Sequence, residues 1–516
     1  MARDEDDMMA AVSRTINEAN GPEAAAPEAA QEAAAPVAPP ASVADTPAAL
    51  ISERFAAMTA GAQERRTGFD IERRRLALKT LAKTVRSHER EIIAALAADL
   101  GKPEPEVRLT EILPVQAEIS HTLKHLKGWT KVRKVKGTLA TMGTKGLIRP
   151  EPKGTVLIIA PWNYPLGLAL GPLVSALGAG NAAIIKPSEF TPATSALLAK
   201  MMETAFAPDL VWVAEGGAGV AQTLLDKPFD HVFFTGSPAV GRKVMAQAAQ
   251  HLTPVTLELG GKSPVIVGPD ADIPAAARAI VWGKFANAGQ TCIAPDHVYV
   301  AAQRMDKFLK AVRAEIARMY GKDPEGQMAS GDLSRIVSAR HYQRLVDMIN
   351  QAESMGATIA LGGAGDAESR FVAPTVLTGV RPDMTVMREE IFGPILPLIP
   401  FEDIDAVIAR INKGPKPLAL YVFGKDKGFI DRVSTATSSG AVGVNVTLAH
   451  YMHLNLPFGG IGNSGIGAAH GEWGFRAFSH EKPVLVNRRA PLASFMPPYK
   501  GLKPRKIRMM ARLLGR

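Results

Sequence analysis

The feature that most constrains this chain is a rhythm. Short apolar runs at residues 155–160, 182–186, 210–214, 231–234 and 255–259 are separated by segments of helical length. Short, continuously apolar runs with helical patterns between them argue for a parallel, doubly wound sheet covered on both faces. Five such strands make one dinucleotide-sized domain. Strand and helix signals alternate again from residue 264 to about 444, which predicts a second α/β unit. Ahead of the first run the pattern is helical: Leu76, Leu78, Leu81, Val85, Ile92, Leu96 and Leu100 recur near a 3.6-residue period among Arg, Lys and Glu. Residues 131–153 are polar, Gly-containing and weakly alternating, which suits a ribbon or linker.

One stretch imitates a membrane span. Residues 154–185 carry no charge, but Pro161, Pro165 and Pro172, five glycines, Asn163 and Asn181 interrupt them. A spanning helix rarely tolerates so many breakers, so strand, loop, helix and strand are expected there. The N-terminus does not read as a signal peptide, because Asp4, Glu5, Asp6 and Asp7 stand where a positive region belongs. Residues 21–50 hold 13 Ala and 6 Pro and predict a disordered tail over 1–50. The single cysteine, Cys292, excludes an intrachain disulfide and a Cys-rich zinc site, and fits a reduced, cytoplasmic compartment. The net charge of +10 is unevenly spread, with a basic C-terminal end. No zinc-finger or aromatic-basic pattern points to nucleic acid. His450, His453, His470 and His480 lack ligand spacing, so no metal site is expected.

Cys292 lies in Gly289-Gln290-Thr291-Cys292-Ile293-Ala294-Pro295-Asp296, a segment that reads as a tight loop. A lone cysteine is commonly a small buried hydrophobe, so its company decides. Glu258 interrupts an apolar strand just before Gly260-Gly261. Burial there would raise its pKa and make it a usable general base, unless it is simply paired with Lys262. Asn163, in Pro161-Trp162-Asn163-Tyr164-Pro165, comes directly after the first strand of the sheet. It is either an amide donor to an oxyanion or a cap for the next helix. No GxGxxG succeeds that strand. Instead Gly236-Ser237-Pro238-Ala239-Val240-Gly241 ends a later strand and opens a helix, a turn that can accept a phosphate. Lys186 and Glu189, after the second strand, are placed to meet ribose hydroxyls.

Together with Glu389-Glu390-Ile391-Phe392-Gly393-Pro394 and residues 457–460, these motifs stand in the order and spacing of one family: over about residues 51–490 the chain resembles an aldehyde dehydrogenase. Three segments, 123–129, 157–165 and 292–296, resemble its class 3 branch of fatty, aromatic and coniferyl aldehyde dehydrogenases. The resemblance implies Cys292 as nucleophile, Glu258 as the base that activates water, and Asn163 as oxyanion donor. It implies NAD as cofactor, by a soft preference that tolerates NADP. Lys186 and Glu189 would take the adenosine ribose, Gly236, Ser237 and Gly241 the pyrophosphate turn, Glu390 the nicotinamide ribose, and Phe392 and Trp162 its surroundings. Glu258 favours hydrolysis to a free acid over transfer to coenzyme A.

The expected domains are an NAD(P)-binding domain with N-terminal helices at 51–131 and 154–262, and a catalytic domain at 263–446. A bridging and oligomerisation arm with site-lining segments takes 132–153 and 447–490, and a basic tail takes 491–516. In the family such an arm completes a neighbour's sheet, implying a homodimer. In the tail, Ile507, Met510, Leu513 and Leu514 share a helical face among basic residues, a pattern that suits peripheral contact with an anionic membrane. The alternatives are an enzyme mainly for aromatic or coniferyl aldehydes, and a catalytically silent, membrane-docked scaffold.

Overall fold

The computed structural model describes residues 43–488 and 496–515. Helices come first, from Ala48–Ala60 through Leu113–Trp129. Next are β1 (Arg133–Val135) and β2 (Thr144–Pro152), then β3 (Thr155–Ile159), β4 (Ala182–Lys186), β5 (Val211–Val213), β6 (His231–Gly236) and β7 (Val255–Leu259). A second series comprises β8 (Pro264–Val267), β9 (His297–Ala301), β10 (Thr358–Leu361), the hairpin β11 (Gly365–Asp366) and β12 (Phe371–Val372), β13 (Thr375–Thr378), β14 (Ile395–Phe401), β15 (Ala419–Phe423) and β16 (Ala441–Val444). The chain returns as β17 (Gly465–Ile466) and β18 (Ser479–Asn487).

The first sheet has the order β17-β7-β6-β3-β4-β5. Its five expected strands are parallel, and β17 adds a short antiparallel sixth against β7. The strands β3 and β4 are buried at every residue, which is why they read as unbroken apolar runs. The chain leaves β3 toward β4 on one side and reaches β6 on the other. The crevice beyond the carboxyl ends of β3 and β6 is therefore a switch point, where α/β sheets bind ligands. The second sheet, β10-β13-β14-β9-β8-β15-β16, is parallel except for its edge strand β10. A third sheet, β1-β2-β18, is an antiparallel ribbon in which β18 pairs with β2 over nine residues.

The expectation of a disordered tail over 1–50 needs correction at its end. Residues 43–50 are placed: the Thr46 amide donates to the Glu215 carbonyl at 2.9 Å, and Asp45 accepts from the Gly217 amide at 2.8 Å. The helix Ala48–Ala60 begins inside the expected tail because Pro47 sits at its N-cap, where a missing N–H costs nothing, and the alanines after it are strong helix formers. Residues 1–42 lie outside the described residues, as do 489–495 and Arg516. The basic end forms the helix Lys503–Leu514, with no residue buried and Ile507, Leu513 and Leu514 exposed. Among the described residues, no helix is long and apolar enough to cross a membrane.

Candidate active site

The Cys292 loop is held in a conformation few sequences adopt. Asn287, Ala288 and Gly289 have φ of 52°, 52° and 75°, three left-handed residues in succession. Gly289 is packed so closely on the Gly393 carbonyl that a Cβ would not fit. Buried hydrogen bonds compensate for the strain. The Asn287 amide donates to Glu106 Oε1 at 2.7 Å, and Gln290 Nε2 donates to the Asn287 and Arg335 carbonyls at 3.0 Å each. The Tyr164 and Thr291 hydroxyls are 2.7 Å apart, and Tyr421 donates to the Ile293 carbonyl at 2.6 Å.

Asn163 does not cap the next helix. Its Nδ2 donates to the Gln290 carbonyl at 2.9 Å, which leaves the amide a second N–H, and Asn163 and Cys292 line the same cleft. Its own carbonyl accepts from Asn287 Nδ2 at 2.8 Å and from Lys102 Nζ at 3.2 Å. Lys102 is 1% exposed and bonds Glu111 Oε1 at 2.8 Å, while Glu111 Oε2 accepts from the Gly167 amide at 2.8 Å. This buried pair fixes both ends of the segment that carries Asn163. The charges come from remote helices, so no local signal in the sequence marks Lys102, Glu111 or Glu106.

Glu258, on β7, is not paired with Lys262. Lys262 Nζ instead donates to Asp296 Oδ1 at 2.6 Å and to the Glu389 and Val386 carbonyls at 2.7 and 2.9 Å. Burial alone would raise the Asp296 carboxyl, but Lys262 and His297 hold it below the usual range. Its other oxygen accepts from the Ile391 amide at 3.0 Å, tying the Cys292 loop to the Glu389–Pro394 segment. Among the described residues, neither buried Glu258 oxygen has a hydrogen-bond partner, and desolvation pushes this carboxyl well above its usual value. Burial, with the Glu390 and Glu258 charges, pushes the Cys292 thiol up to about 12. At rest the Cys292 thiol is therefore protonated at pH 7.

Two cavities meet at these residues. A cleft of about 1180 Å³ lies over the switch point and is lined by Trp162, Asn163, Lys186, Glu189, Glu390 and Phe392, with Gly236 and Ser237 at its turn. A tunnel of about 190 Å³ adjoins it, with walls that include Leu109, Pro114, Trp282, Leu448, Tyr451 and Met452. Glu258 and Cys292 line both. In the cleft, Lys186 Nζ is 2.8 Å from Glu189 Oε2, and Glu390 accepts from the Gly261 amide at 3.0 Å. Burial raises the Glu390 carboxyl to about 7. Trp162 and Phe392 meet edge to face at 5.4 Å. Ser237 is the N-cap of the helix Pro238–Ala249 and accepts from the Val240 amide. Gly241 does not reach the cleft. It packs under Leu259, where a Cβ would lie 2.7 Å from the Leu259 side chain, so its role is close helix–strand approach. Among the described residues, no group of three or more His, Cys, Asp or Glu is arranged to hold a metal.

The cleft suits a dinucleotide. Its volume exceeds the roughly 300–1,000 Å³ of ordinary small-molecule sites. Apolar Ala218, Ala221, Val240 and Val244 face one part of it, and Lys243, Arg340 and Arg344 supply positive charge. A switch-point cleft of this kind, joined to an apolar tunnel over a thiol and an unpaired carboxyl, marks an α/β oxidoreductase. The chain belongs to the aldehyde dehydrogenase family, whose model matches residues 28–484. It is 44% identical over 409 residues to aldehyde dehydrogenase family 3 member A2 of Pongo abelii, covering 79% of this chain and 83% of that protein. The substrate-bound structure of Staphylococcus aureus AldH superposes with a TM-score of 0.85 at 42% identity, covering 89% of this chain and 99% of that one. A Mycobacterium tuberculosis aldehyde dehydrogenase complexed with NAD+ gives a TM-score of 0.77 at 29% identity, covering 86% and 91%. The protein is an NAD(P)-dependent oxidoreductase that converts an aldehyde to a carboxylic acid.

Proposed function

We propose that the enzyme oxidises apolar aldehydes, medium- or long-chain aliphatic or aromatic, through a thioester at Cys292 that water hydrolyses. The observation that carries this reading is the meeting of the two cavities at Cys292 and Glu258. An aldehyde entering by the tunnel presents its carbonyl to the thiol, and the tunnel wall selects an apolar body. NAD(P) bound in the cleft supplies the hydride acceptor. Lys186 and Glu189 would hold its adenosine ribose, Gly236 and Ser237 its pyrophosphate, and Glu390, with Phe392 and Trp162 beside it, its nicotinamide ribose. An acidic Glu189 disfavours a 2′-phosphate, which favours NAD. Its pairing with Lys186 softens that preference and leaves NADP usable.

The thiol passes its proton to the Glu258 carboxylate beside it, which releases it to solvent, and the thiolate attacks the carbonyl. The uncommitted Asn163 N–H and the Cys292 amide then stabilise the tetrahedral oxyanion, a donor of this kind being worth about 3–4 kcal/mol. Loss of hydride from that thiohemiacetal gives the thioester. Glu258, its carboxyl raised by desolvation, accepts a proton from water, which attacks the acyl carbon, expels the Cys292 thiolate and releases the acid. An unpaired carboxyl at this place supports hydrolysis over transfer to coenzyme A. NADH formation over aldehydes from hexanal to hexadecanal, with benzaldehyde and coniferaldehyde, tests the substrate class. Preference for small polar aldehydes would sink it, and acyl-coenzyme A as the main product would sink hydrolysis.

Two further features belong to this reading. The strand β18 is the edge of its sheet, paired by β2 on one side, and sheet edges need cover. A second copy of the chain supplies it in a homodimer, and light scattering of a monomer would refute this. The exposed basic helix Lys503–Leu514 suits peripheral contact with an anionic bilayer from a cytoplasmic, reducing compartment. Liposome flotation should weaken on truncation before Lys500, and equal flotation removes the idea.

A further inference from the structure

The wall of the apolar tunnel carries a polar pair that the reaction at Cys292 does not use. Glu118, in the helix Leu113–Trp129, and His470, just before the helix Gly471–Ala477, both line the tunnel. Glu118 is 4% exposed. Its Oε1 accepts from the Gly471 amide at 2.8 Å, which anchors the carboxyl. Its Oε2 is buried without a hydrogen-bond partner among the described residues, as is His470 Nδ1, which stands 3.5 Å from it at ion-pair distance. Unpaired polar atoms in an apolar wall are costly, and native proteins rarely leave them so.

The backbone at His470 points the same way. Its φ of 70° and ψ of 137° lie where non-glycine residues are strained. The ring is gripped edge to face by Tyr451 at 4.6 Å and Phe458 at 5.3 Å. Glu118 and His470 line the same tunnel as Tyr451 and Cys292, so a substrate at the thiol shares its cavity with the pair.

We propose that Glu118 and His470 form a hydrogen-bonding subsite for a hydroxyl group on the part of the aldehyde remote from its carbonyl. This deepens, and rests on, the reading of the tunnel as the aldehyde's channel. A hydroxyl donates to Glu118 Oε2 and accepts from a ring N–H of His470. Being neutral, it loses less on leaving water than an ammonium group does. A carboxylate or phosphate tail would instead face the Glu118 carboxyl.

Matched pairs of aldehydes test it: 8-hydroxyoctanal against nonanal, and 4-(hydroxymethyl)benzaldehyde against 4-ethylbenzaldehyde. The aliphatic and aromatic pairs separate the two sources of such a hydroxyl. The wild-type kcat/KM should favour the hydroxylated member of at least one pair by about tenfold or more, as expected for a hydrogen bond to a buried charged acceptor. Glu118→Gln keeps an acceptor for Gly471 and should bring that ratio toward one. The ratio within a pair is read, so a general loss of activity cancels. Should that variant not fold, His470→Asn, whose short side chain tolerates positive φ, supplies the same readout. A wild-type ratio of one with brisk oxidation of the alkyl members overturns the subsite and leaves the channel standing. A preference that survives both substitutions overturns the assignment to this pair. Oxidation of acetaldehyde with none of the four turned over overturns subsite and channel together.

Discussion

The two cavities that meet at Cys292 are built in different ways. The wide cleft is framed by the carboxyl ends of β3, β4 and β6, and its chemistry sits in the few residues just past each strand. The narrow tunnel meets the sheet only at Phe233 and Thr235 of β6 and Glu258 of β7, and is otherwise walled by segments from residues 109–118, 164–175, 282–293 and 448–470, which only the tertiary fold brings together. The cleft is therefore set by sheet topology and local motif, and the tunnel by packing among distant helices and loops. Substrate preference can drift in such a molecule without disturbing the reaction.

The comparison breaks most sharply at the shared residue. Cys292→Ala should lower NADH formation by about 10,000-fold or more while calorimetry still detects NAD binding, since the cleft survives. Comparable turnover by the variant would remove Cys292 from the mechanism. Asn163→Ala should cost about 100- to 1,000-fold in kcat, the usual loss of one oxyanion donor. A change confined to KM would reassign the amide to substrate binding. Gly171 lines the tunnel, and a Cβ there meets nothing within 4 Å. Gly171→Leu should thus fill the tunnel without a clash and lower kcat/KM for nonanal by about 10- to 100-fold, with a smaller effect on acetaldehyde. Equal losses would mean that the tunnel does not select by length.

Smaller effects come from protonation. Burial lifts the resting thiol to about 12, so alkylation by iodoacetamide should rise about tenfold per pH unit from pH 7 to 10. A plateau near pH 8 would mean that the thiol is activated at rest. For Glu258 the sign comes from proton binding. Burial raises its native pKa above the ordinary 4.5, so above that pH the native state holds more protons than the unfolded state. Stability therefore falls as pH rises, until the native group itself ionises. Glu258→Gln removes this penalty, so its Tm advantage over wild type should be near zero below pH 4.5 and widen above it. A pH-independent difference would show that the carboxyl is not held neutral.

Legibility in the sequence divides along the same line as the cavities. Cys292, Glu258, Asn163 and the Gly236-Ser237 turn stand in contiguous motifs, because each lies at the end of a strand or in a tight loop whose neighbours are equally constrained. The apolar runs anticipated the strands of the first sheet because those strands are buried on both faces. Lys262 was open as a partner for Glu258, yet it pairs with Asp296, a choice between two carboxylates that only packing decides. Gly241 shared its motif with phosphate-binding candidates, but the missing side chain makes room for Leu259. The support of Asn163 by Lys102 and Glu111 was illegible, because these residues meet it only across helices. The place of His470 in the tunnel beside Glu118 left no trace in the sequence. The ordered residues 43–50 were hidden by a composition that elsewhere signals disorder.

The central claim is that the aldehyde carbon becomes covalently attached to Cys292 and that Glu258 frees it. The direct measurement is intact-protein and peptide mass spectrometry of Glu258→Gln after mixing with NAD and nonanal. An acyl group is expected on the peptide that contains Cys292, formed with one equivalent of NADH and released slowly. A burst of NADH with no mass added to that peptide would contradict it.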